Sequence, residues 1–340
     1  MLTRRRVALV STLFVALLAL ALSTLVPSWK SLPRGELPEW TKRFGKAIRA
    51  HSDAAPASLL HIGHRAGSFE EYARNLDGEL EHARPVTELM DMSFGPLGLN
   101  AIEIDVRSSP IEGDTRAVVV HDRIDPAALS TSARDYIDAN SVTRLLRHFV
   151  QKGYHRQGKR LFVELKASNA SGLDAEGRAA IDRTAQALET TLRSRSDASL
   201  VRKHVELISF NRFALEHARK ALGAAAPLHR LHMILTSNQH PDFTYELIRE
   251  DLRALDDTLT TWLSGTPLLN GVLFDPRYVD GFATLFNRIN AKRKARGLDP
   301  LDLHLSTYSH DYLGFVERMS ATGQRLRNVR GLVYEVRRDD

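Results

Sequence analysis

From Leu59 onward, short apolar runs alternate with longer segments whose apolar positions recur three and four residues apart. The runs are "LLHIGH", "AIEIDV", "AVVVH", "RLFVELK", "VELISF", "LHMILT", "GVLFDP", "LDLHLSTY" and "GLVYEV". Between several of them the apolar period switches from about 2 to about 3.6, the mark of helices laid against a sheet. Leu145, Leu146, Phe149 and Val150 form one helical stripe before Gly153, and Ile181, Ala185, Leu188 and Leu192 form another. Leu252, Leu255, Leu259, Trp262 and Leu263 run to Gly265; Phe282, Leu285, Phe286 and Ile289 precede Gly297. Glycines at those places read as helix C-caps, and the stripes as packing faces. Repeated strand-then-helix units imply right-handed crossovers and a parallel sheet. Nine runs against the eight strands of a closed barrel predict a (β/α)8 TIM barrel carrying one extra hairpin or edge strand. No G-x-G-x-x-G follows the first run, which argues against an open dinucleotide-binding sheet.

The N-terminal region breaks this pattern. "MLTRRR" is followed over residues 7–26 by "VALVSTLFVALLALALSTLV", which carries no charge. A helix of that length spans about 30 Å, the thickness of a bilayer core. Arginines on its N-terminal side predict that this end stays cytoplasmic and that the rest of the chain is exported. The small residues of "ALALS" leave a cleaved signal peptide as the competing reading, and the length of the run favours an anchor. "PSWKSLPRGELPEW" then reads as a linker. The expected organisation is a transmembrane helix in residues 1–28, a linker and pre-barrel segment in 29–58, and the barrel in 59–340. Membrane anchoring with the barrel in the periplasm or extracellular space follows, or secretion if the segment is cleaved.

Several strand runs carry charge where a barrel needs apolar residues. In a strand, residues i and i+2 share a face, so Glu103 and Asp105 point together, as do Glu164 and Lys166. His64 and His121 each close an apolar run. In a parallel barrel these groups can meet at the C-terminal mouth, where active sites are built. Three converging carboxylates repel one another, and a hard divalent ion such as Ca²⁺ or Mg²⁺ resolves the repulsion with oxygen ligands. Arg65 and Lys166 suit a phosphate, and two histidines suit proton transfer near neutral pH. A structural Glu164–Lys166 ion pair is the plainer alternative for any one of these groups alone. Alternation places His61 on the opposite face, as a packing residue, and His204, His229 and His232 have no carboxylate partner nearby in sequence.

Composition changes this picture little. Hydrophobic residues make up 43% and charged residues 26%, enough apolar material for a sizeable core. The formal charge of +6 includes Arg4, Arg5 and Arg6 ahead of the apolar segment, and no basic stripe is interleaved with aromatics, so nucleic acid is not an expected partner. The absence of cysteine excludes disulfides, thiolate metal sites and a cysteine nucleophile.

In "GHRAG", "NAIEIDV", "VVVHD" and "FVELK", taken in this order, the chain resembles the glycerophosphodiester phosphodiesterase family within the phospholipase-C-like phosphodiesterases. The likeness runs from about Leu59 to about Arg219, including "LISFNRFALEHAR", and more weakly beyond. It implies a (β/α)8 barrel and a Ca²⁺ or Mg²⁺ ion held by Glu103, Asp105 and Glu164. It further implies His64 and His121 as acid and base, Arg65 and Lys166 on phosphate, and a phosphodiester or phospholipid-derived substrate. The chain departs from the family pattern in "HRAGSFEEYARNLDGELEHARP", which lacks the usual Pro-Glu-Asn-Thr stretch, and near its C-terminus in "LSTYSHD" and "RGLVYEV". Those segments shape the mouth, so the alcohol recognised need not be glycerol. The alternatives are a phospholipase D or sphingomyelinase D type enzyme forming a cyclic phosphate, and a non-catalytic phosphate- or lipid-binding barrel. The related sphingomyelinase D type enzymes usually carry Asp where Glu164 stands, which favours hydrolysis.

Overall fold

The computed structural model describes residues 59–67, 84–167, 172–235, 257–267, 269–274, 279–307 and 329–334. Each of the nine apolar runs forms a strand: β1 (Leu60–Gly63), β2 (Ala101–Ser108), β3 (Ala117–Val119), β4 (Arg160–Leu165), β5 (Val205–Ser209), β6 (Leu231–Leu235), β7 (Leu269–Phe274), β8 (Asp302–Thr307) and β9 (Val329–Tyr334). Eight of them pair in parallel in the order β1-β2-β4-β5-β6-β7-β8-β9, and β9 returns to β1, so the sheet closes into the expected barrel. β3 is the extra strand. It runs antiparallel to the last residues of β2, Val106 to Ser108, which extend past the end of β1.

Described helices flank the barrel: α1 (Val86–Phe94), α2 (Thr131–Ala139), α3 (Val142–Gln151), α4 (Ala175–Leu192), α5 (Ala198–His204), α6 (Arg212–Leu222), α7 (Asp257–Gly265) and α8 (Val279–Ala295). Polar side chains start two of the helices that follow strands. Asp174 Oδ1 accepts from Gly177 N at 2.7 Å at the start of α4, and Asn211 Oδ1 from Phe213 N at 2.8 Å at the start of α6. Gly153 and Gly297 both adopt positive φ after a helix, as C-cap glycines do, whereas Gly265 is the last residue of α7 itself.

Strand alternation divides the apolar residues into two layers. Ile104, Val163, Leu207, Val272 and Leu303 face outward and pack with Leu146, Phe149, Ile181, Leu188 and Ile289 from the helices. Ile62, Ala101, Phe162, Ile208, Ile234, Leu273 and Val333 fill the barrel interior. Arg293 of α8 is buried to 1% exposure and donates to the carbonyls of Leu263, Thr266, Leu269 and Asp299, tying together α7, the start of β7 and the approach to β8.

At the N-terminal end of the barrel the interior turns polar. Glu206 bonds His232 at 2.5 Å and pairs with Arg160, while Asp302 pairs with Arg230 and with Arg330. His232 therefore does have a carboxylate partner, supplied by the neighbouring strand rather than by nearby sequence. His61 is buried, as expected of a packing residue; the His204 and His229 rings bond the carbonyls of Leu200 and Val205. Gly271 makes room for this layer, since a Cβ there would fall 2.6 Å from His232 Nδ1.

His304 lies perpendicular to His232 with ring centroids 4.9 Å apart, and burial, aided by nearby positive charge, pushes its pKa well below the ordinary histidine value. The folded protein thus keeps His304 neutral where the unfolded chain protonates it. Below about pH 6.5 the unfolded state binds the extra proton, and stability falls by up to about 1.4 kcal/mol per pH unit from this group. Urea unfolding at pH 7 and pH 5 is expected to show this loss in the wild type, and a smaller loss in His304→Phe; an unchanged pH dependence in the variant excludes His304 as the source.

Residues 7–26, together with the proposed boundaries at 28 and 58, lie outside the described residues. Among the described residues no helix is long and apolar enough to cross a membrane.

Candidate active site

Neighbouring residues in a parallel pair point to the same face, and the register of β2 on β4 sets Asp105 beside Glu164 and Glu103 beside Phe162. Phe162 belongs to the barrel interior, so Glu103, Asp105 and Glu164 point inward as well, near the C-terminal mouth. Each can present an oxygen within 4.8 Å of the others, and all three are buried. The i, i+2 spacing and the register together suffice to bring them into one cluster.

The chain leaves β1 through a left-handed turn in which Arg65 (φ 49°), Ala66 (φ 57°) and Gly67 (φ 82°) all have positive φ. For Arg65 and Ala66 this conformation costs roughly 1–2 kcal/mol each. Two bonds hold it: Arg65 N donates to Glu103 Oε2 at 2.9 Å, and Ser93 Oγ donates to Ala66 O at 2.5 Å. The turn places the Arg65 guanidinium over the carboxylates, with Nε 4.0 Å from Asp105 Oδ2, and His64 Nε2 3.6 Å from Glu103 Oε2. Strain concentrated at such a position is consistent with a functional role.

β3 leads into His121, two residues past its end. Tyr136 of α2 donates its hydroxyl to Val119 O at 3.1 Å, Val120 N donates to Asp105 O at 3.0 Å, and Arg107 Nε donates to His121 O at 2.8 Å. Arg65 Nη2 lies 2.8 Å from His121 Nε2 and Asp122 Oδ1 2.6 Å from its Nδ1. A guanidinium can only donate and a carboxylate only accepts, so this network assigns the neutral tautomer with the proton on Nδ1 and the lone pair on Nε2. Burial, reinforced by the Lys166 charge, pushes the His121 pKa down to about 4. Asp122 as partner of His121 was not anticipated from sequence; the adjacent "HD" is a weak signal, because only the rotamers bring the two groups together.

Lys166, just past the end of β4, reaches Asp105 Oδ1 at 2.7 Å and Glu164 Oε1 at 2.6 Å, and its ammonium lies 5.7 Å from the centre of the Phe210 ring. The structural ion pair weighed at the sequence level is therefore present, but it is part of a larger cluster. Burial works against the Asp105 charge, and the positive charges around it, Lys166 first and then His121, Arg65 and His64, together outweigh burial and hold that carboxyl well below the usual range. Burial pushes Glu164 up to about 7 despite the lysine. Glu103, buried and facing the charges of Asp105 and Glu164, is raised well above the ordinary value.

All seven sequence-predicted residues, His64, Arg65, Glu103, Asp105, His121, Glu164 and Lys166, thus gather at one end of the barrel. A divalent cation fits this donor set. The ligands are oxygens, the carboxyls resist ionising together without added positive charge, and among the described residues the buried Glu103 Oε1 has no hydrogen-bond partner. Arg107, on the same face of β2 two residues beyond Asp105, and Arg123 both approach Glu176 of α4, at 3.7 and 2.8 Å, and add charge at the rim.

No protein-family model matches the chain, and no curated protein does. Among solved structures, a Silicibacter pomeroyi DSS-3 protein provisionally assigned as a glycerophosphoryl diester phosphodiesterase is similar at 17% identity and TM-score 0.49, over 82% of this chain and 90% of that one. A provisionally assigned chitinase A of Streptomyces coelicolor follows at 12% identity and TM-score 0.41, over 83% and 93%. A glucosidase of Croceicoccus marinus is similar at 12% identity and TM-score 0.39, over 81% and 59%. The barrel and its site rest on the strand pairings and side-chain geometry described above.

Proposed function

We propose that the chain is a divalent-cation-dependent phosphodiesterase that hydrolyses glycerophosphodiester or lysophospholipid-type diesters at the C-terminal mouth of its barrel. The observation that carries this reading is the convergence of a buried carboxylate triad with two histidines and the cations of Arg65 and Lys166. Mere phosphate binding needs the cations but neither the triad nor a paired acid and base. Glu103, Asp105 and Glu164 would hold Ca²⁺ or Mg²⁺, which supplies Lewis-acid neutralisation of a phosphoryl oxygen. Arg65 turns its fork from His121 to the phosphate, and Lys166 adds a point charge. His121, neutral and with its Nε2 lone pair directed into the site, takes the proton of the attacking oxygen; His64 returns a proton to the leaving alkoxide. The apolar run at residues 7–26 and its preceding arginines support tethering of the barrel outside the cytoplasm, close to lipid-derived substrates.

The full chain in detergent, stripped of metal and resupplied with Ca²⁺ or Mg²⁺, is to be offered glycerophosphocholine, glycerophosphoethanolamine, lysophosphatidylcholine and sphingomyelin, with products followed by phosphorus NMR. Metal-dependent release of glycerol phosphate is the expected result. A cyclic phosphate with free choline identifies an attacking substrate hydroxyl and a sphingomyelinase D type reaction, and silence on every substrate returns the barrel to a binding role.

A further inference from the structure

Lys166 forms ion pairs with carboxylates that an entering cation needs. Its ammonium lies 2.7 Å from Asp105 and 2.6 Å from Glu164, so two of the three carboxylates already carry a positive partner. Among the described residues it makes no ion pair with the third: Glu103 Oε2 instead has His64 Nε2 at 3.6 Å and accepts from Arg65 N at 2.9 Å. A monovalent ammonium is thus a partial counter-ion for this cluster, and a divalent cation that engages all three oxygens is a better one. The two cannot share Asp105 and Glu164 at such range without strong mutual repulsion, which the buried surroundings screen poorly.

Lysine is suited to yield. Its charge sits on a flexible four-carbon stem, it stands immediately beyond the end of β4 rather than within the strand, and the Phe210 ring is already 5.7 Å from its ammonium as an alternative partner toward the mouth. We infer that Lys166 is a displaceable internal counter-ion: a divalent cation entering the Glu103–Asp105–Glu164 cluster competes with it for Asp105 and Glu164 and releases its ammonium toward the phosphate position. The inference rests on the cation site proposed above and adds its regulation. Lys166 weakens cation affinity, and it becomes available to phosphate only once the cation is in place, so the two positive charges reach the substrate together.

Calorimetric titration of the metal-stripped full chain with CaCl₂ or MgCl₂, in the wild type and in Lys166→Met, tests this without reference to turnover. The variant is expected to bind the cation at least about tenfold more tightly. Equal or weaker binding by the variant overturns the inference and leaves the cation site standing; silence of both proteins overturns the site, and the inference with it. Removal of the lysine leaves the carboxylates without their main positive partner, so thermal melting accompanies the titration. The expected result is a lower melting temperature without metal and a larger rise on adding it than in the wild type. A rise no larger than that of the wild type counts against displacement even if the variant is too unstable for calorimetry.

Discussion

His121→Ala is expected to lower turnover of a glycerophosphodiester by about 10²–10⁴-fold while leaving the fold intact, the range that loss of a positioned acid or base produces. The ring projects from the end of the β3 excursion and is partly exposed, and the strand is held by backbone bonds and by the Tyr136 hydroxyl rather than by the imidazole. Truncation therefore removes chemistry and little packing. Circular dichroism should be unchanged, with the loss falling on kcat rather than on KM. Burial and the Lys166 charge push the pKa of this histidine down to about 4, so the acid limb of the wild-type kcat/KM profile is expected well below the ordinary histidine range. The sign follows from its role: a base works when unprotonated, so activity falls as pH drops through that value. A His121→Ala protein that retains wild-type turnover removes His121 from the mechanism.

Asp105→Asn is the second large effect. The substitution keeps the shape of a side chain with no measurable exposure but removes the charge that both Lys166 and the proposed cation use. Turnover should fall by about 10³-fold or more, because the electrostatic stabilisation at stake is several kcal/mol. Cation binding measured by calorimetry should weaken in parallel. Loss of turnover with unchanged cation affinity places Asp105 outside the ligand set and assigns it to holding Lys166 alone.

Much of this site is legible in the sequence because strand geometry is periodic. Glu103 and Asp105 share a face by alternation alone, as do Glu164 and Lys166, and the strand ends at His64 and His121 can be read from where the apolar runs stop. The extra run "AVVVH" is legible as a ninth strand, although its antiparallel pairing with β2 follows from the contacts of the folded chain. What is not legible depends on register and backbone conformation. Glu206 meets His232 only because β5 and β6 pair with Ile208 opposite His232, a relation across 26 residues with no local signature. Arg65 and Ala66 adopt a left-handed turn that neither residue type favours, and only Gly67 hints at it. Arg293 reads in sequence as one more charge near the end of a basic helix, yet it is buried because carbonyls from three separate segments converge on its guanidinium.

The central claim is that the carboxylates of Glu103, Asp105 and Glu164 form a cation centre and not merely a socket for Lys166. Crystals of the protein grown with MnCl₂, with diffraction recorded at the manganese absorption edge, test it most directly. The account predicts an anomalous peak bounded by oxygens of all three carboxylates, with the Lys166 ammonium moved off Asp105 and Glu164. Strong manganese peaks elsewhere, with none at the triad and the lysine still bonded to both carboxylates, would contradict it.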